Sequence, residues 1–598
     1  MSASGSQADS QGPLRRRLTV DMIRGEIRRR ADAYAGQSGL IVDYYRIRRQ
    51  LVYSLPVRSL SLPSVPVPSI SGYPWATWMM WALEERVHSL AAAAEWFKED
   101  RYARAATKDL EGLSEWPQYC QYKQPDLSSG HAGRLLWLAF TKYRWLPDSV
   151  RTKLRDACGR HTEEVLPLSD AYFKGLETGQ DFLSLPAPHS KLPNIPIIGT
   201  IAAALTAQAI QHSARSRLDQ RISAIMAALL DLRAKGYTEG VAYDGYVLDF
   251  LVHWLEVIPR DAADRILKHP AFSEYLEQSY MLSAPGAIEQ VAELSDVEPK
   301  QMPFHYSAQA KLVSFGLNQV QAWFLSGWPV AWIRADALSV LAPLAGRLGG
   351  AMPPPGALSA HYAAVLRSGW EEKDAAVAMS ATPSPAGHIQ ADNGTVVIGS
   401  RGRWLISDPG YQQYMRDVER EFTIGPAAHN SPLINGVAQD SKKPGPVALD
   451  KVAPDLLRAR VELAGCYPAA ARAKSVVRTV WLHSNSTVVI ADQVDAAGLE
   501  SLTYHWHGHP EAAWGHQAGW LRLYFPDVDL WFTAPASPLS DSQVTRHAGS
   551  RGQLTATARI APAPAVMWWI FSISPVPPEY KVDNSGKELH VQGVRFRV

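Results

Sequence analysis

The feature that most limits the fold is a run of glycines and prolines at residues 349–356, Gly-Gly-Ala-Met-Pro-Pro-Pro-Gly. Proline fixes φ and has no backbone N–H, so a helix or a central strand cannot pass through such a run. Before it, apolar residues recur every three or four positions, which is typical of amphipathic helices. After it, short runs rich in β-branched and aromatic residues alternate with turn residues, which indicates strands. The sequence therefore predicts a helical part followed by a β part.

The helical part is predicted to extend from residue 73 to about residue 347. Helical spacing of apolar residues is found at 75–90, 130–145, 150–166, 197–210, 217–235, 241–258 and 307–324. The sequence shows no strand pattern between these runs and no fixed repeat period, and the lack of a period argues against a solenoid. Many antiparallel helices without a repeat favour either stacked helical hairpins or a helical toroid.

The β part is predicted to be an antiparallel β-sandwich. A short helix is expected up to residue 366, and strands follow it. Two hairpins are predicted, with further strands after them: 395–398 with 403–406, 475–482 with 487–491, then 520–525, 529–533 and 565–572. Regularly spaced strands of this kind are typical of two packed sheets.

The 598 residues are too many for a single hydrophobic core, because chains of this length divide into domains. We predict a basic, helix-prone segment over residues 18–49 and a Pro/Ser-rich linker or strap over residues 54–71. The domains predicted from these patterns are an N-terminal segment with its linker at 1–72, a helical domain at 73–365 and a β-sandwich domain at 366–598.

The start of the chain shows no targeting signal. Residues 1–13 are rich in Ser, Gly and Gln, a composition that favours disorder. Arg15–Arg17 are not followed by the apolar run of a signal peptide. No uninterrupted run of about 18 apolar residues is present, so a membrane span is not expected. The sequence as it stands predicts a cytoplasmic protein, or a periplasmic or secreted one if a leader has been removed.

Charge and composition exclude some classes of function. Sixty basic and 58 acidic residues give a net charge of +2, whereas nucleic-acid binders usually carry a clear basic excess. Twenty Trp and 23 Tyr are many, and aromatic faces that are not used in a core can stack on sugar rings. Cys120, Cys158 and Cys466 are too few and too far apart for a disulfide framework, so we expect buried thiols.

Four motifs follow one another between residues 367 and 436. They are Arg367-Ser368-Gly369-Trp370, His388-Ile389-Gln390-Ala391-Asp392-Asn393-Gly394, Trp404-Leu405-Ile406-Ser407-Asp408-Pro409-Gly410, and Arg420-Glu421-Phe422-Thr423 leading to His429-Asn430-Ser431 and Asn435-Gly436. This order resembles the β-domain of heparinase II/III-like polysaccharide lyases, which has an HxHxD segment, a strand ending in Asp-Pro-Gly, an Arg-containing strand and His-Asn. Each motif is weak alone, but their shared order is specific.

Three helical segments are similar to the same family. Residues 113–117, Leu-Ser-Glu-Trp-Pro, with Asp126 look like the family's early toroid segment. Residues 236–243 resemble its Glu-Gly…Tyr segment, and residues 191–195 lie where the family places an Asn or His that contacts a substrate carboxylate. The resemblance covers residues 75–509. It implies an incomplete (α/α) toroid followed by an antiparallel β-sandwich, and a lyase that cleaves a uronate-containing acidic polysaccharide.

Cleavage of such a polymer by β-elimination requires three tasks: neutralising the uronate carboxylate, removing the C5 proton and protonating the leaving glycosidic oxygen. The resemblance assigns Asn194 or His189 to the carboxylate, and Tyr243 and His388 to the two proton transfers. Tyr246 is a reserve for Tyr243, since the two lie three positions apart on a helix. Each of these residues also has a plain structural explanation, as a helix cap, a ring packed in the core or a histidine whose nitrogens are hydrogen-bonded. The remaining candidates, for substrate binding, are Glu239, Arg367 and Trp116.

No cofactor is required by this chemistry, but some family members hold a structural divalent cation. The corresponding positions here are Gln390, Asp408 and His429, which would have to hold zinc or calcium. Gln390 departs from the family pattern, because an amide is a poor zinc ligand compared with imidazole. Asp408 and His429 are alternatively expected to pair directly. The tract His505-Trp506-His507-Gly508-His509 is a further, weaker metal candidate.

Two other classes of function fit the same sequence. A glycoside hydrolase on a helical toroid needs two carboxylates across a cleft, and Glu239 and Asp244 are available. A non-catalytic glycan-binding or capsule-assembly protein would keep the fold without turnover, and the Gln390 departure favours it. Glycosaminoglycans, alginate and bacterial exopolysaccharides are all compatible with the resemblance, as are endo and exo action.

Overall fold

The fold is described from a computed structural model, which covers residues 18–44, 49–60, 75–174, 176, 188–297, 303–316, 318–360, 362–411, 418–535, 543–547 and 552–598. The start predicted to be disordered, the Arg15–Arg17 cluster and most of the Pro/Ser-rich linker lie outside these residues. Before residue 349 the described chain is mainly helical, and after it the regular structure is mainly antiparallel sheet. The predicted order of helical and β parts is therefore confirmed.

The helices before the breaker are α1 Val20–Ala35, α2 Trp75–Phe97, α3 Asp100–Ser114, α4 Leu127–Lys142, α5 Asp148–Tyr172, α6 Asn194–Ala209, α7 Arg215–Arg233, α8 Val241–Val257, α9 Arg260–Leu267, α10 Pro270–Met281, α11 Pro303–Lys311, α12 Gln319–Ser326 and α13 Ala335–Leu341. Helices α6 and α8 are apolar on nearly every side and form the centre of this part. None of the described helices is both long and apolar enough to cross a bilayer.

Three details of the helical part differ from the prediction. The N-terminal helix ends at Ala35, and the hairpin β1 Gly39–Tyr44 and β2 Arg49–Ser54 follows it. A second small hairpin, β3 Ser283–Ala284 and β4 Ala287–Val291, separates α10 from α11. The single run predicted at 307–324 is divided between α11 and α12, because Gly316 adopts φ 106° between them, a conformation that ends a helix.

The strands after the breaker are β5 Gly356–Ser359, β6 Ala363–Arg367, β7 Ala375–Ser380, β8 Val396–Ser400, β9 Arg403–Ser407, β10 Leu433–Ile434, β11 Ala448–Ala453, β12 Leu456–Glu462, β13 Ala473–His483, β14 Thr487–Ala496, β15 Leu502–Gly508, β16 Ala513–Gln517, β17 Trp520–Tyr524, β18 Asp529–Thr533, β19 Gln543–Thr545, β20 Thr555–Ile560, β21 Val566–Ile573, β22 Tyr580–Val582, β23 Glu588–Val591 and β24 Val594–Arg597. Both predicted hairpins are confirmed, as β8–β9 and β13–β14.

Two large antiparallel sheets pack face to face. The first has the order β19-β20-β15-β9-β8-β7-β6-β5, with β10 beside β15, and the second has the order β11-β12-β13-β14-β21-β18-β17-β16. Their shared core includes Val377 and Ile398 from the first sheet and Ile490 and Phe571 from the second. The predicted sandwich is confirmed, and β22–β24 form a small third sheet.

The first sheet is buried on both faces, and this joins the two parts of the molecule. Alternate residues of β6 and β7 point to different cores: Ala364 and Val377 face the sandwich, whereas Val365 and Ala376 belong to the core of the helices. Such alternation is the normal period of a strand. Loops that leave this sheet therefore lie directly against the helices, and one of them carries a predicted catalytic residue.

Two sequence predictions in the β part were wrong. The short helix expected up to residue 366 is the strand pair β5–β6, because pairing with β7 buries both faces of this apolar run. The Arg-containing strand expected at 420–423 is a short helix, α14 Val418–Thr423. The boundary predicted at 365/366 falls inside β6, and the strand pairing favours a β domain that starts at Gly356.

Candidate active site

A tight loop between α7 and α8 presents Glu239, one of the predicted residues. Gly236 and Gly240 lie at either end of this loop with φ values of 94° and 87°, which residues other than glycine rarely adopt. Asp244, in the first turn of α8, accepts hydrogen bonds from the backbone N of Glu239 at 3.1 Å and from Arg233 Nη1 at 2.7 Å. Burial alone would raise the pKa of Asp244, but Arg233 and neighbouring donors lower it below its ordinary value.

Glu239, held by this loop, contacts the start of α6. Its Oε2 accepts from the backbone N of Asn194 at 3.0 Å, and Asn194 Nδ2 lies 3.3 Å from Oε1. Both side chains are buried, and Asn194 Oδ1 has no hydrogen-bond partner among the described residues. Burial raises the pKa of Glu239 to about 7, although the nearby His388 opposes the shift. This carboxyl group therefore exchanges its proton near neutral pH.

Tyr243 and His388 meet face to face beside Glu239. Their ring centroids are 3.5 Å apart and the ring planes differ by 9°. Tyr243 lies on the first turn of α8, whereas His388 lies on the loop between β7 and β8. The hydroxyl of Tyr243 also lies 3.5 Å from that of Tyr411, which follows Asp-Pro-Gly at the end of β9. The helical part and the β part of the molecule therefore both contribute side chains to this site.

His388 has two neighbours that the sequence did not reveal. Its Nδ1 lies 3.1 Å from Oδ2 of Asp296, and Oδ1 of the same carboxylate accepts from Gln390 Nε2 at 2.7 Å. Asp296 lies 92 residues before His388 and belongs to no motif. Only the tertiary contact identifies it.

The structure thus brings together Asn194, Glu239, Tyr243 and His388. His189 lies close by: its ring centroid is 6.2 Å from that of Tyr237, which comes two residues before Glu239. The contacts of His189 are with this neighbouring ring.

Tyr246, the reserve for Tyr243, belongs to a different group of contacts. It is 1% exposed, its hydroxyl is hydrogen-bonded to His131 Nε2, and it accepts from Trp81 Nε1 at 2.9 Å. Its ring stacks on Phe304 with centroids 4.4 Å apart. Tyr246 is therefore a structural residue of the helical core.

Replacing Tyr246 with phenylalanine separates these two roles. The variant leaves a buried imidazole nitrogen without one partner, so we expect the free energy of unfolding to fall by about 1–2 kcal/mol. Catalytic turnover should stay at the wild-type level. Urea unfolding together with a turnover assay measures both. Loss of turnover in a variant that folds normally would return Tyr246 to the list of catalytic candidates.

Arg367 and Trp116 need correction as substrate-binding residues, because both side chains are buried with donors that are directed at backbone carbonyl groups. Arg367 is 0% exposed, donates to the carbonyl oxygens of Met281 and Ser283, and lies over the ring of Trp370. Burial lowers its pKa to about 9. Trp116 is 1% exposed and donates to the carbonyl of Val57 at 2.8 Å. Neither side chain has a surface on which a polysaccharide could lie.

The residues at the family's metal position do not fit zinc. Gln390 replaces an imidazole, and its amide nitrogen donates to Asp296. Asp408 Oδ2 lies 2.9 Å from His429 Nδ1 within a buried ion pair. Burial would lower the pKa of His429, but the charges of Asp408 and Asp392 raise it. Within the described residues, no group of three or more His, Cys, Asp or Glu side chains is arranged to hold a metal ion.

The histidines of the 505–509 tract do not converge on one point. His505 Nδ1 lies 3.0 Å from the hydroxyl of Thr557, and His507 Nδ1 lies 2.8 Å from that of Thr555. His509 comes after the end of β15. Each of the two strand histidines is thus bonded to a threonine of β20. The three cysteines are all buried and free, as predicted.

The pKa of Glu239 gives a testable pH dependence. The folded-state pKa lies above the ordinary value of 4.5, so the folded protein binds this proton more tightly than the unfolded chain. Stability is therefore lost as the pH rises from about 4.5 towards 7. Glu239→Gln removes this titration and should gain stability relative to wild type between about pH 5 and pH 8.

Urea unfolding at several pH values measures this difference. Glu500→Gln, at an exposed position, is the matched control and should follow the wild-type curve. A Glu239→Gln curve parallel to wild type across the range would show that Glu239 does not titrate there.

Comparison with known proteins gives a family match for the β part of the chain. Residues 352–572 match the family model described as heparinase II/III-like, C-terminal. A search of curated proteins gives no significant match.

Solved structures similar to this chain include heparinase III, with TM-score 0.62, 11% identity and coverage of 100% of this chain and 93% of that one. Heparan sulfate lyase HepC from Pedobacter heparinus gives TM-score 0.57, 14% identity and coverage of 99% and 90%. At these identities the likeness shows the fold. The helical part followed by antiparallel sheets that the sequence predicts is thus the fold of these solved structures, and the family match is to residues 352–572.

Proposed function

We propose that this chain is a polysaccharide lyase that cleaves a uronate-containing acidic polysaccharide by β-elimination. The observation that carries the proposal is the stack of Tyr243 on His388 at 3.5 Å, beside the buried pair Asn194 and Glu239. These four side chains match the three tasks of the reaction. They come from the start of α6, the α7–α8 loop, the first turn of α8 and the β7–β8 loop, and the meeting of these residue types at one place supports the proposal.

Asn194 and Glu239 are assigned to the substrate carboxylate. Removal of the C5 proton places negative charge on that carboxylate, and hydrogen-bond donors aimed at it stabilise the transition state. The amide of Asn194 has two N–H bonds, of which Glu239 can take one. Because the pKa of Glu239 is about 7, its protonated form is present at neutral pH and can donate a second hydrogen bond.

Tyr243 and His388 are assigned to the two proton transfers. In the reaction the C5–H and C4–O bonds break, a C4=C5 double bond forms, and the leaving oxygen receives a proton. One group accepts the C5 proton and the other supplies the proton of the leaving group. The face of the sugar ring that carries the C5 proton decides which of the two accepts it. Imidazole changes protonation state near neutral pH, which suits it to either transfer.

The contacts of Asp244 disfavour the hydrolase alternative. That reaction needs a second carboxylate facing the substrate. Asp244 is fully buried and pairs with Arg233, Thr238 and Gln278. Its carboxylate is engaged in holding the loop of Glu239, which disfavours a role opposite a sugar.

Ultraviolet absorbance of polysaccharides incubated with the protein tests the proposal, because β-elimination produces a conjugated unsaturated uronate. Heparan sulfate, chondroitin sulfate, hyaluronan and alginate form the panel, with new reducing ends measured in parallel. Absorbance that rises on at least one polymer supports the lyase. Reducing ends without absorbance would indicate a hydrolase, and neither signal would favour a glycan-binding protein.

A further inference from the structure

A short turn after β4 holds the loop that carries His388. The backbone N of Asp296 donates to the carbonyl of His388 at 3.0 Å, while its carboxylate contacts His388 Nδ1 and Gln390 Nε2. Next to it, Ser295 Oγ accepts from the backbone N of Gln390 at 3.4 Å and donates to Asp392 at 3.3 Å. Two consecutive residues of the helical part thus contact three residues of this loop.

The backbone of the turn is unusual, because a serine adopts a conformation that favours glycine. Ser295 has φ 62°, a left-handed conformation that costs a residue with a side chain roughly 1 kcal/mol. The backbone N of Val297 donates to the carbonyl of Ser295 at 2.8 Å and closes the turn. Both Ser295 and Asp296 are buried. With the turn in this conformation, both carboxylate oxygens of Asp296 contact the loop.

From these contacts we propose that Asp296, supported by Gln390, is a positioning residue that fixes the tautomer of His388 for the reaction. The inference rests on the proposed function. An ionised carboxylate accepts hydrogen bonds only, so the proton of the neutral imidazole lies on Nδ1 and the lone pair on Nε2. Gln390 donates to the second oxygen and prevents the carboxylate from rotating away. The partly exposed ring of His388 therefore presents Nε2 to the substrate.

This assignment also explains the departure at Gln390. Gln390 is a departure from the family's pattern at the metal position, and its amide nitrogen donates to Asp296 at 2.7 Å. In this chain, the residue two positions after His388 orients a carboxylate instead. Glu239, whose charge interacts with His388, and the stacked phenol of Tyr243 also lie beside this ring. Lys442 donates to the carbonyl of Ala386 in the same loop at 2.7 Å, and its charge interacts with Asp296.

Asp296→Asn tests the inference. An amide can donate to Nδ1 and stabilise the wrong tautomer, so kcat should fall by about 10²–10⁴-fold with little change in KM. Gln390→Ala removes only the hydrogen bond to the second carboxylate oxygen of Asp296 and should lower kcat by about 10-fold. Asp455→Asn is the matched control, because Asp455 Oδ2 lies 3.1 Å from His483 Nε2 in an exposed pair of the sandwich. Its kcat should equal that of wild type.

A second readout does not depend on turnover. Nitrogen-15 NMR of labelled histidines, with His388 assigned by its loss in His388→Ala, should show Nδ1 protonated in wild type and the Nε2–H form enriched in Asp296→Asn. Wild-type kcat in Asp296→Asn, or an Nε2–H tautomer in the wild-type protein, would overturn the inference. If no polymer is cleaved but the tautomer changes as expected, the positioning role stands and the proposed function fails.

Discussion

Tyr243→Phe and His388→Ala are each expected to lower lyase kcat by about 10²–10⁴-fold, the range for loss of a positioned acid or base. The phenylalanine ring keeps the stack with His388 but removes the proton of the hydroxyl. His388→Ala removes the stack as well as the second proton carrier. Since the two side chains act on the same reaction, the double variant should lose little more than either single one.

Initial rates of unsaturated product formation measure these effects, with near-unchanged KM as the sign that the lost interaction acts in the transition state. Tyr280→Phe is the matched control. Tyr280 is a buried tyrosine of α10 that packs against Trp323 and Trp370, and its variant should turn over at the wild-type rate. Turnover by Tyr243→Phe at the wild-type rate would remove Tyr243 from the mechanism.

Lys311→Met is expected to lower the free energy of unfolding by about 3–5 kcal/mol, the usual cost of breaking a buried ion pair. Lys311 is 1% exposed, and its Nζ lies 2.7 Å from Oδ1 of Asp249 and 2.6 Å from Oδ2 of Asp336. Asp249 also pairs with Arg134, which lies 2.7 Å from Glu84. This chain of charges joins α2, α4, α8, α11 and α13, so the variant removes a buried cation that two carboxylates share.

Urea unfolding of Lys311→Met and Lys268→Met measures this difference. Lys268 is the matched control, because its pair with Asp264 at 3.1 Å lies on the surface, where such pairs contribute less than about 1 kcal/mol. Equal losses of stability in the two variants would mean that the buried charges add nothing beyond a surface pair.

The parts of the fold that the sequence predicted correctly depend on local patterns. The helical and strand periods changed at the Gly/Pro run, and the two hairpins were marked by their turn residues. Where burial decides the structure, local patterns misled: the run predicted to be helical up to residue 366 pairs with β7 and is covered on both faces. The strand predicted at 420–423 forms α14 instead.

In the candidate site too, local motifs identify some residues, whereas the tertiary contacts decide the others. Asn194, Glu239, Tyr243 and His388 were found through motifs, and the structure brings them together. Arg367 lies in a motif too, but a motif does not show that its side chain is enclosed by carbonyl groups and an indole. Asp296 was missed because no local pattern connects it with a histidine 92 residues away.

Mass spectrometry of the oligosaccharides released from a cleaved polymer tests the central claim most directly. A β-elimination breaks the glycosidic bond without adding water. The account therefore predicts new non-reducing ends that are one water lighter than the saturated uronate, and that are absent with Tyr243→Phe. Products with fully saturated non-reducing ends would contradict it, because the bond would then have been hydrolysed.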